Sequence, residues 1–296
     1  MRMTKEKILI LGSSGLVGQQ LLKTIGEKYN VFTTYHNSKI QKDDIYLDLA
    51  SKKTIENAFE VVKPDIVINL CTIYKNLDFC EKNKDLVMAI NGTSLENISK
   101  LSSKLNSYLI SISSDFVFDG KRGNYRETDT VSPINFYGMS KVIGERNIER
   151  FSRHYCIVRT SMIYGRNSIR KTLPDMILDG IKNETEFKII DDQFMTPTYL
   201  RNFCNMLSEI IEKKYQGIIH LTGPERMSRY DFAIKLLERI GLSKEKLIPV
   251  SKNEFEFGKI MPSDSSLNTE KAFSTLKEKP ERIDSALDKY LDFKIN

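Results

Sequence analysis

Short apolar runs alternate with amphipathic stretches along the first two thirds of the chain. The first run, from Lys7 to Leu11, is bounded by charge and glycine and predicts a buried parallel strand. Apolar residues at helical spacing follow from Leu16 to Ile25 and predict a helix. The same pattern predicts further strands at 29–35, 45–47, 66–70, 108–114, 156–160 and 217–221, and further helices at 51–62, 84–105, 200–213, 228–240 and 279–291, with one more around Tyr137.

This alternation predicts an α/β fold, a Rossmann-type doubly wound parallel sheet with a smaller C-terminal α/β substrate lobe. The alternation loosens after residue 165. We therefore predict a dinucleotide-binding domain at 1–165, to which 199–222 return, and a substrate-binding lobe made of 166–198 and 223–296. The lobe should cover the carboxyl ends of the strands, where such sheets bind ligands.

A glycine-rich turn lies between the first strand and the first helix. Gly12, Gly15 and Gly18 are spaced as G-x-x-G-x-x-G. In this position the first glycine permits the tight turn, the second lets backbone approach a pyrophosphate at the helix N-terminus, and the third lets helix and strand pack closely. The turn predicts dinucleotide binding over a purely structural role.

The residues after the second strand bear on the choice of cofactor. An acidic residue there would bond the ribose hydroxyls and favour NAD, but the positions read Thr34, Tyr35, His36, Asn37, Ser38 and Lys39. A 2′-phosphate is therefore not repelled. We expect NADP(H) to be preferred, with NAD(H) allowed. Lys39 either favours NADP(H) or is an ordinary solvated lysine.

Composition narrows the class of protein. The 296 residues are 40% hydrophobic and 28% charged, and their net charge of +6 is spread along the chain. No nucleic-acid motif accompanies that charge, so we expect a small anionic ligand and no nucleic acid. The four cysteines and three histidines show no ligand spacing, so we expect no metal. We read no signal peptide and no membrane span, and expect a cytoplasmic protein. The sequence allows a homodimer without settling the oligomeric state.

The candidate chemistry lies between residues 108 and 145. Tyr137 and Lys141 are four residues apart, which on a helix places them on one face. Ser114 and Asp115 end the preceding strand and should face them across the carboxyl edge of the sheet. A nearby ammonium lowers the pKa of a phenol, so Tyr137 could exchange a proton near neutral pH while Ser114 holds the reacting oxygen. Taken alone, Tyr-x-x-x-Lys is often a coincidence.

Together these features resemble the extended short-chain dehydrogenase/reductase family, and within it the dTDP-4-dehydrorhamnose reductase branch. The matching segments are KPDIVIN at 63–69, LDFCEKN at 77–83, SSDFVFDG at 113–120, YGMSKVIGE at 137–145, VRTSMIYG at 158–165 and DQFMTPT at 192–198, with Gly223-Pro224 and Ser228-Arg229-Tyr230. No single segment is specific, but the ordered set covers nearly the whole chain.

The resemblance implies a set of roles. Tyr137 delivers a proton to a sugar C4 oxygen as hydride arrives from the cofactor, Lys141 bonds the nicotinamide ribose, and Ser114 bonds the same C4 oxygen with Asp115 beside it. Asn91 matches a position that often anchors a water relay; the alternative is a satisfied buried amide. The cofactor contacts implied are Gly12, Ser14, Gly15, Leu16, Val17 and Gly18 at the pyrophosphate, Asp48 and Leu49 at the adenine, and Cys71 and Thr72 along the cofactor's path. The loop 119–133 would form part of the wall beside the sugar.

The chain departs from this branch at three positions. It lacks the Trp that the branch usually has in the segment 159–162, it has Met261 before Pro262 where the branch tends to have Arg, and it has Phe116 for a frequent Tyr. These departures leave the sugar nucleotide undecided. The expected function is an NAD(P)H-dependent reductase of a nucleoside-diphosphate 4-keto-6-deoxyhexose in deoxysugar or polysaccharide biosynthesis. Two alternatives stay open: an epimerase or dehydratase of the same fold, and a non-catalytic NADP-binding regulatory subunit like that of methionine adenosyltransferase.

Overall fold

The structure, a computed structural model, describes residues 5–37, 39, 41–73, 75–166, 170–183 and 186–292. Its strands are β1 (Lys7–Leu11), β2 (Asn30–Tyr35), β3 (Ile45–Tyr46), β4 (Ile66–Asn69), β5 (Tyr108–Ser114), β6 (Tyr155–Thr160), β7 (Ile163–Tyr164), β8 (Phe187–Ile190), β9 (Phe194–Met195), β10 (Thr198–Tyr199), β11 (Gly217–His220), β12 (Met227–Ser228) and β13 (Leu247–Val250). Its α-helices are α1 (Leu16–Ile25), α2 (Lys52–Val62), α3 (Leu77–Lys82), α4 (Lys84–Met88), α5 (Ser94–Lys104), α6 (Phe136–Phe151), α7 (Leu173–Lys182), α8 (Leu200–Lys213), α9 (Arg229–Arg239), α10 (Glu270–Thr275) and α11 (Ile283–Asp292).

Seven strands form the central sheet in the order β11-β6-β5-β4-β1-β2-β3, and each neighbouring pair is parallel. The strand order reverses at β1 and β4, where a doubly wound sheet opens a crevice beyond its carboxyl ends. This arrangement confirms the predicted Rossmann-type fold. It also places the end of β5 next to the crevice.

Both faces of the sheet are covered, which is why its strands read as continuous apolar runs. In β1, Ile8 and Ile10 pack with α1 and α8 on one face, while Leu9 and Leu11 pack with α2 and α5 on the other. All four side chains are 0% exposed. At about 25 cal/mol per Å² of buried apolar surface, such complete burial is the main stabilisation of the sheet.

A separate apolar cluster lies in the C-terminal part of the chain. It joins α7, α9 and α11 around Tyr164, Phe232 and Tyr290. Strands β8 and β13 pair in parallel beside it, and β9 and β12 pair antiparallel. Between these regions, β11 extends the central sheet and α8 packs on its outer face. The exact division into a domain and a lobe stays a prediction.

Two predicted helices differ from the structure. The helix expected at 84–105 is interrupted by a π-helical turn at Ala89–Thr93, where the Asn91 side chain bonds to another chain segment. The helix expected at 279–291 begins at Ile283 instead, since Pro280 lacks a backbone N–H and disfavours helix at its predecessor.

Three features of the described residues concern membranes, metals and cysteines. In the part of the chain that the structure describes, no helix is long and apolar enough to cross a membrane. Among the same residues, no group of three or more His, Cys, Asp and Glu side chains could hold a metal ion. The four cysteines are free thiols, of which Cys71 alone is half-buried and the others buried.

Candidate active site

The glycine loop joins β1 to α1 at the centre of the sheet. Gly12 has a φ of +86°, which glycine adopts without strain, and a Cβ there would lie 2.9 Å from the Cys71 sulfur. A Cβ on Gly18 would lie 2.5 Å from the Ser13 carbonyl oxygen, so α1 packs closely on the loop. Gly15 is the N-cap of α1, and the first helical turn has no acidic side chain. The positive end of the helix therefore suits a phosphate group.

The end of β2 is tied to the glycine loop. The Ser13 hydroxyl donates to the Thr34 carbonyl oxygen over 2.8 Å, and the Gly12 N–H donates to the Thr34 hydroxyl over 3.2 Å. Just beyond, the Lys39 ammonium lies 5.0 Å from the centre of the Tyr35 ring. Directly after β2 the chain thus offers the Lys39 cation to an adenosine ribose. The Asp44 carboxylate further along accepts the Thr33 hydroxyl and the Gln41 N–H.

Asp48 and Leu49 lie between β3 and α2. The Asp48 carboxylate accepts the Ala50 N–H over 2.9 Å, so it shapes the turn that leads into α2. Leu49 lines a cavity of about 280 Å³ walled by α2 and α5. The predicted catalytic residues, all of them described, lie outside its lining. This cavity adjoins the predicted adenine position and is not the place of the chemistry.

The end of β4 is joined to the π-helical turn. The Thr72 hydroxyl and the Ile73 N–H donate to the Asn91 side-chain oxygen over 3.3 and 2.8 Å. The Asn91 amide donates to the Ile73 carbonyl over 3.1 Å and to the Ser140 hydroxyl over 3.3 Å. These bonds favour the structural alternative, a satisfied buried amide that ties β4 to α6. The water-relay role stays a prediction.

Tyr137 lies in the first turn of α6 and faces the end of β5. The Asn135 side chain caps this helix by accepting the Gly138 N–H over 2.8 Å. Tyr137 is 8% exposed, and its ring packs edge-to-face on the Phe116 ring at 6.0 Å between centroids. Capping and packing therefore fix the start of the helix and the phenol ring on it.

Lys141 follows one helical turn later. Its ammonium donates to the Ile112 carbonyl oxygen over 2.9 Å, which brings it to the β5 backbone two residues before Ser114. Burial lowers the Lys141 pKa to about 8, and the Glu145 carboxylate and the Cys71 sulfur oppose that shift. Lys141 is therefore mostly cationic at neutral pH and loses its charge just above it.

Ser114 and Asp115 form a buried group at the end of β5. The Ser114 hydroxyl donates to one Asp115 carboxylate oxygen over 3.0 Å, and the hydroxyls of Ser161 and Ser265 donate to the other over 2.8 and 2.6 Å. Burial raises the Asp115 pKa, while the three serine hydroxyls oppose the rise. A carboxylate with three donors is suited to orient Ser114. Because a hydroxyl has one proton, Ser114 must turn from Asp115 to bond a substrate oxygen.

Two glycines of α6 lie where other segments touch the helix. A Cβ on Gly138 would lie 2.0 Å from the Phe116 carbonyl oxygen, and one on Gly144 would lie 2.5 Å from the Asn91 carbonyl oxygen. Each glycine costs about 1 kcal/mol relative to alanine within a helix. Close approach of the turn that follows β5, and of the π-helical turn, to α6 is the physical reason for both.

The sequence reasoning missed a buried ion pair beside Lys141. Arg159, on β6, donates to both carboxylate oxygens of Glu145 over 3.0 and 2.7 Å, and the Ser113 hydroxyl donates to the same carboxylate over 2.5 Å. The helical spacing of Lys141 and Glu145, four residues apart, was the available signal. Nothing local to Arg159 indicated its partner.

The loop 119–133 was predicted to border the sugar, and it packs against the segment 261–268. The Asp264 N–H donates to the Gly120 carbonyl over 2.9 Å, and the Tyr125 N–H donates to the Ser266 carbonyl over 2.9 Å. Ser265, which directly precedes Ser266, donates its hydroxyl to the Asp115 carboxylate. The C-terminal segment is thus bonded to the loop 119–133 through its backbone and to Asp115, just after β5, through the Ser265 side chain.

A glycine loop at the reversal of a parallel sheet, with Tyr-x-x-x-Lys on a helix against the end of β5, defines an extended short-chain dehydrogenase/reductase. Comparison with known families agrees with this class. The model of the RmlD substrate binding domain family matches residues 6–294, and the chain belongs to that family.

Individual relatives support the assignment. The chain is 32% identical over 244 residues to a dTDP-4-dehydrorhamnose reductase of Aggregatibacter actinomycetemcomitans, covering 78% of each chain. It is 28% identical over 290 residues to a spore coat polysaccharide biosynthesis protein of Bacillus subtilis, covering 96% of each. The crystal structure of the Bacillus anthracis dTDP-4-dehydrorhamnose reductase in complex with NADP has a TM-score of 0.86 at 27% identity, covering 97% of this chain and 99% of that one.

Proposed function

We propose that this chain is an NADPH-dependent reductase of a nucleoside-diphosphate 4-keto-6-deoxyhexose in polysaccharide biosynthesis. The observation that carries the proposal is that Tyr137 and Lys141, buried one turn apart on α6, contact Phe116 and Ile112, two residues after and two before Ser114. Two of the named relatives are dTDP-4-dehydrorhamnose reductases, and the one from Bacillus anthracis binds NADP in its crystal structure. The residues directly after β2 suit the 2′-phosphate of NADPH because they offer the Lys39 cation. NADH, which lacks that phosphate, is the weaker alternative.

The residues that would hold the cofactor fit a dinucleotide. The Gly12 to Gly18 loop leaves no room for side chains at Gly12 and Gly18, and the α1 N-terminus has no competing carboxylate. Asp48 and Leu49 would border the adenine, and Cys71 and Thr72 would flank the path to the catalytic group. When bound, the nicotinamide supplies the hydride that reduces the sugar ketone.

The protein's own groups would then manage the proton and the oxygen. Tyr137 donates its phenolic proton to the C4 oxygen, so that ketone, hydride and proton balance to an alcohol. The Lys141 ammonium would favour the phenolate that remains. Ser114 turns its hydroxyl from Asp115 to the C4 oxygen, while Ser161 and Ser265 keep the Asp115 carboxylate bonded.

The test is oxidation of NADPH in the presence of 4-keto-6-deoxy sugar nucleotides with different bases. We expect loss of nicotinamide absorbance with at least one of them, and Tyr137→Phe should lower kcat by about 100- to 10,000-fold. Tyr155→Phe is the matched control, since Tyr155 lies at the amino end of β6, away from the predicted site. Absence of turnover with every base and sugar tested would contradict the proposal.

The same assay separates the two alternatives. An epimerase or dehydratase would recycle a retained NAD, and the dehydratases of this superfamily usually carry an acidic pair after the Ser or Thr. Here Asp115 is followed by Phe116, and its carboxylate is engaged by three serines. A regulatory subunit would show no turnover and would co-purify with a stoichiometric partner enzyme. The buried Tyr137 and Lys141 support the catalytic alternative.

A further inference from the structure

Glu145 is the centre of a buried polar group directly behind Lys141. It lies one helical turn after Lys141 on α6, and its carboxylate receives three donors, two from Arg159 and one from Ser113. The side chains of Arg159 and Glu145 are 3% and 6% exposed. The Arg159 guanidinium also lies 5.1 Å from the centre of the Phe118 ring, so it is enclosed on that side as well.

Fold stability alone does not account for this group. Taking two charges out of water costs several kcal/mol each, and apolar residues of similar size are often as stabilising as a buried ion pair. The group lies where β5, β6 and α6 meet. Ser113 faces Glu145, and its neighbour Ser114 faces Asp115. The Glu145–Arg159 ion pair is therefore bonded to Ser113, the direct neighbour of Ser114, which is predicted to bond the sugar C4 oxygen.

The surroundings of Lys141 show what Glu145 does there. The Ile112 carbonyl oxygen of β5 accepts a hydrogen bond from the Lys141 ammonium, and the Cys71 sulfur, after the end of β4, lies near it. Burial raises the Cys71 pKa to about 12, so that thiol is neutral at ordinary pH. On α6 itself, Tyr137 precedes Lys141 by one turn and Glu145 follows by one turn. Glu145 is thus the carboxylate that opposes the cost of burying the Lys141 charge.

Arg159 and Ser113 fix the direction of that carboxylate. A bidentate guanidinium holds both oxygens in one plane, and the hydroxyl bonds one of them. The carboxylate is therefore held by Arg159 and Ser113, while the Lys141 ammonium donates to the Ile112 carbonyl oxygen. The Glu145 charge still reaches Lys141 through a low-dielectric interior.

We propose that Glu145, held by Arg159 and Ser113, is a positioning residue that keeps the Lys141 side chain cationic and directed along α6 toward Tyr137. This proposal rests on the proposed reductase function for its consequence, a working proton donor, but not for the electrostatic relation between Glu145 and Lys141. Glu145 touches neither cofactor nor substrate in this scheme. It acts through Lys141.

The primary test is Glu145→Gln, which keeps the shape and removes the charge. We expect the alkaline limb of the kcat/KM profile to move to lower pH by about one unit or more, because Lys141 would then lose its proton more readily. With a one-unit shift from about 8, activity at pH 7 should fall about two-fold, with a greater loss for a larger shift, and it should recover in part at lower pH. A residue needed only for folding would lower the profile without moving it.

Glu145→Gln leaves a buried arginine without its carboxylate, so a second variant separates folding from electrostatics. The double variant Glu145→Gln and Arg159→Met removes both charges and should recover the Tm lost in the single variant. The proposal predicts that its alkaline limb stays shifted. Recovery of both the Tm and the wild-type pH profile would overturn it. Glu212→Gln, at an exposed pair with Lys28, is the control and should leave the profile unchanged.

A direct titration of Lys141 makes the outcome independent of the substrate. NMR of lysine-labelled protein, with Lys141→Arg to assign the signal, should give a midpoint near 8 for the wild type. In Glu145→Gln the midpoint should be lower by about one unit or more. An unchanged midpoint overturns the proposal even if the wild type reduces its sugar. A lowered midpoint in a protein that reduces no sugar supports the positioning role and refutes the proposed function instead.

Discussion

His220 is the group through which mild acid should destabilise the fold. It ends β11, is 0% exposed, and its Nδ1 lies 3.2 Å from the Asn268 carbonyl oxygen, a contact that requires a proton on Nδ1. No described residue bonds its buried Nε2. Burial and the nearby Arg159 guanidinium lower the His220 pKa to about 3, from an ordinary value of 6.5.

The sign of the effect follows from proton uptake. In the unfolded chain His220 binds a proton as the pH falls through 6.5, whereas in the folded chain it stays neutral until the pH approaches 3. The unfolded state binds more protons in this window, so the free energy of unfolding decreases as the pH falls. At about 1.4 kcal/mol per unit, the loss is about 2 kcal/mol between pH 6.5 and 5, and it approaches about 5 kcal/mol near pH 3.

Urea unfolding at about pH 7.5 and pH 5 measures this loss. The variant His220→Asn removes the titrating ring and keeps an N–H donor for the Asn268 carbonyl. It should lose about 2 kcal/mol less than the wild type between the two pH values. His154→Asn, at an exposed histidine, should keep the wild-type dependence. Equal losses in the wild type and in His220→Asn would refute the reasoning.

Three further changes test other parts of the site. Gly144→Ala places a Cβ 2.5 Å from the Asn91 carbonyl oxygen and should lower the free energy of unfolding by about 1–3 kcal/mol in urea denaturation, despite the better helix propensity of alanine. Ser265→Ala removes one donor from the buried Asp115 carboxylate and should cost about 1.5–3 kcal/mol in the same assay; an unchanged midpoint would show that the bond is dispensable. Lys141→Met should lower kcat for NADPH oxidation by about 100-fold or more, and a smaller change would place the lysine outside the chemistry.

Much of the central sheet could be predicted from the sequence because its signals are local. The β1 run is apolar on both faces, and Gly12 directly after it supplies the positive φ at which the strand turns. The predicted α1 has the bounds that the structure gives it, Leu16–Ile25. Tyr137 and Lys141 could be proposed as a pair since helical spacing alone puts them on one face.

The rest of the site depends on contacts that no local pattern encodes. Ser265 donates to Asp115, 150 positions away in the sequence. Arg159 on β6 donates to Glu145 on α6. The π-helical turn at Asn91 was predicted as regular helix because its apolar spacing is helical; side-chain bonds to Ile73 from another segment decide otherwise. Tertiary context overrides local propensity in each of these cases.

The most direct test of the central claim follows the transferred hydrogen. A 4-keto-6-deoxyhexose nucleotide would be incubated with NADPH carrying deuterium at the transferred position, and the sugar product examined by mass spectrometry and NMR. We expect a 6-deoxyhexose with one deuterium at C4, formed in amounts that match the NADPH consumed and not formed by Tyr137→Phe. A product formed without net consumption of NADPH, or without deuterium at C4, would contradict it.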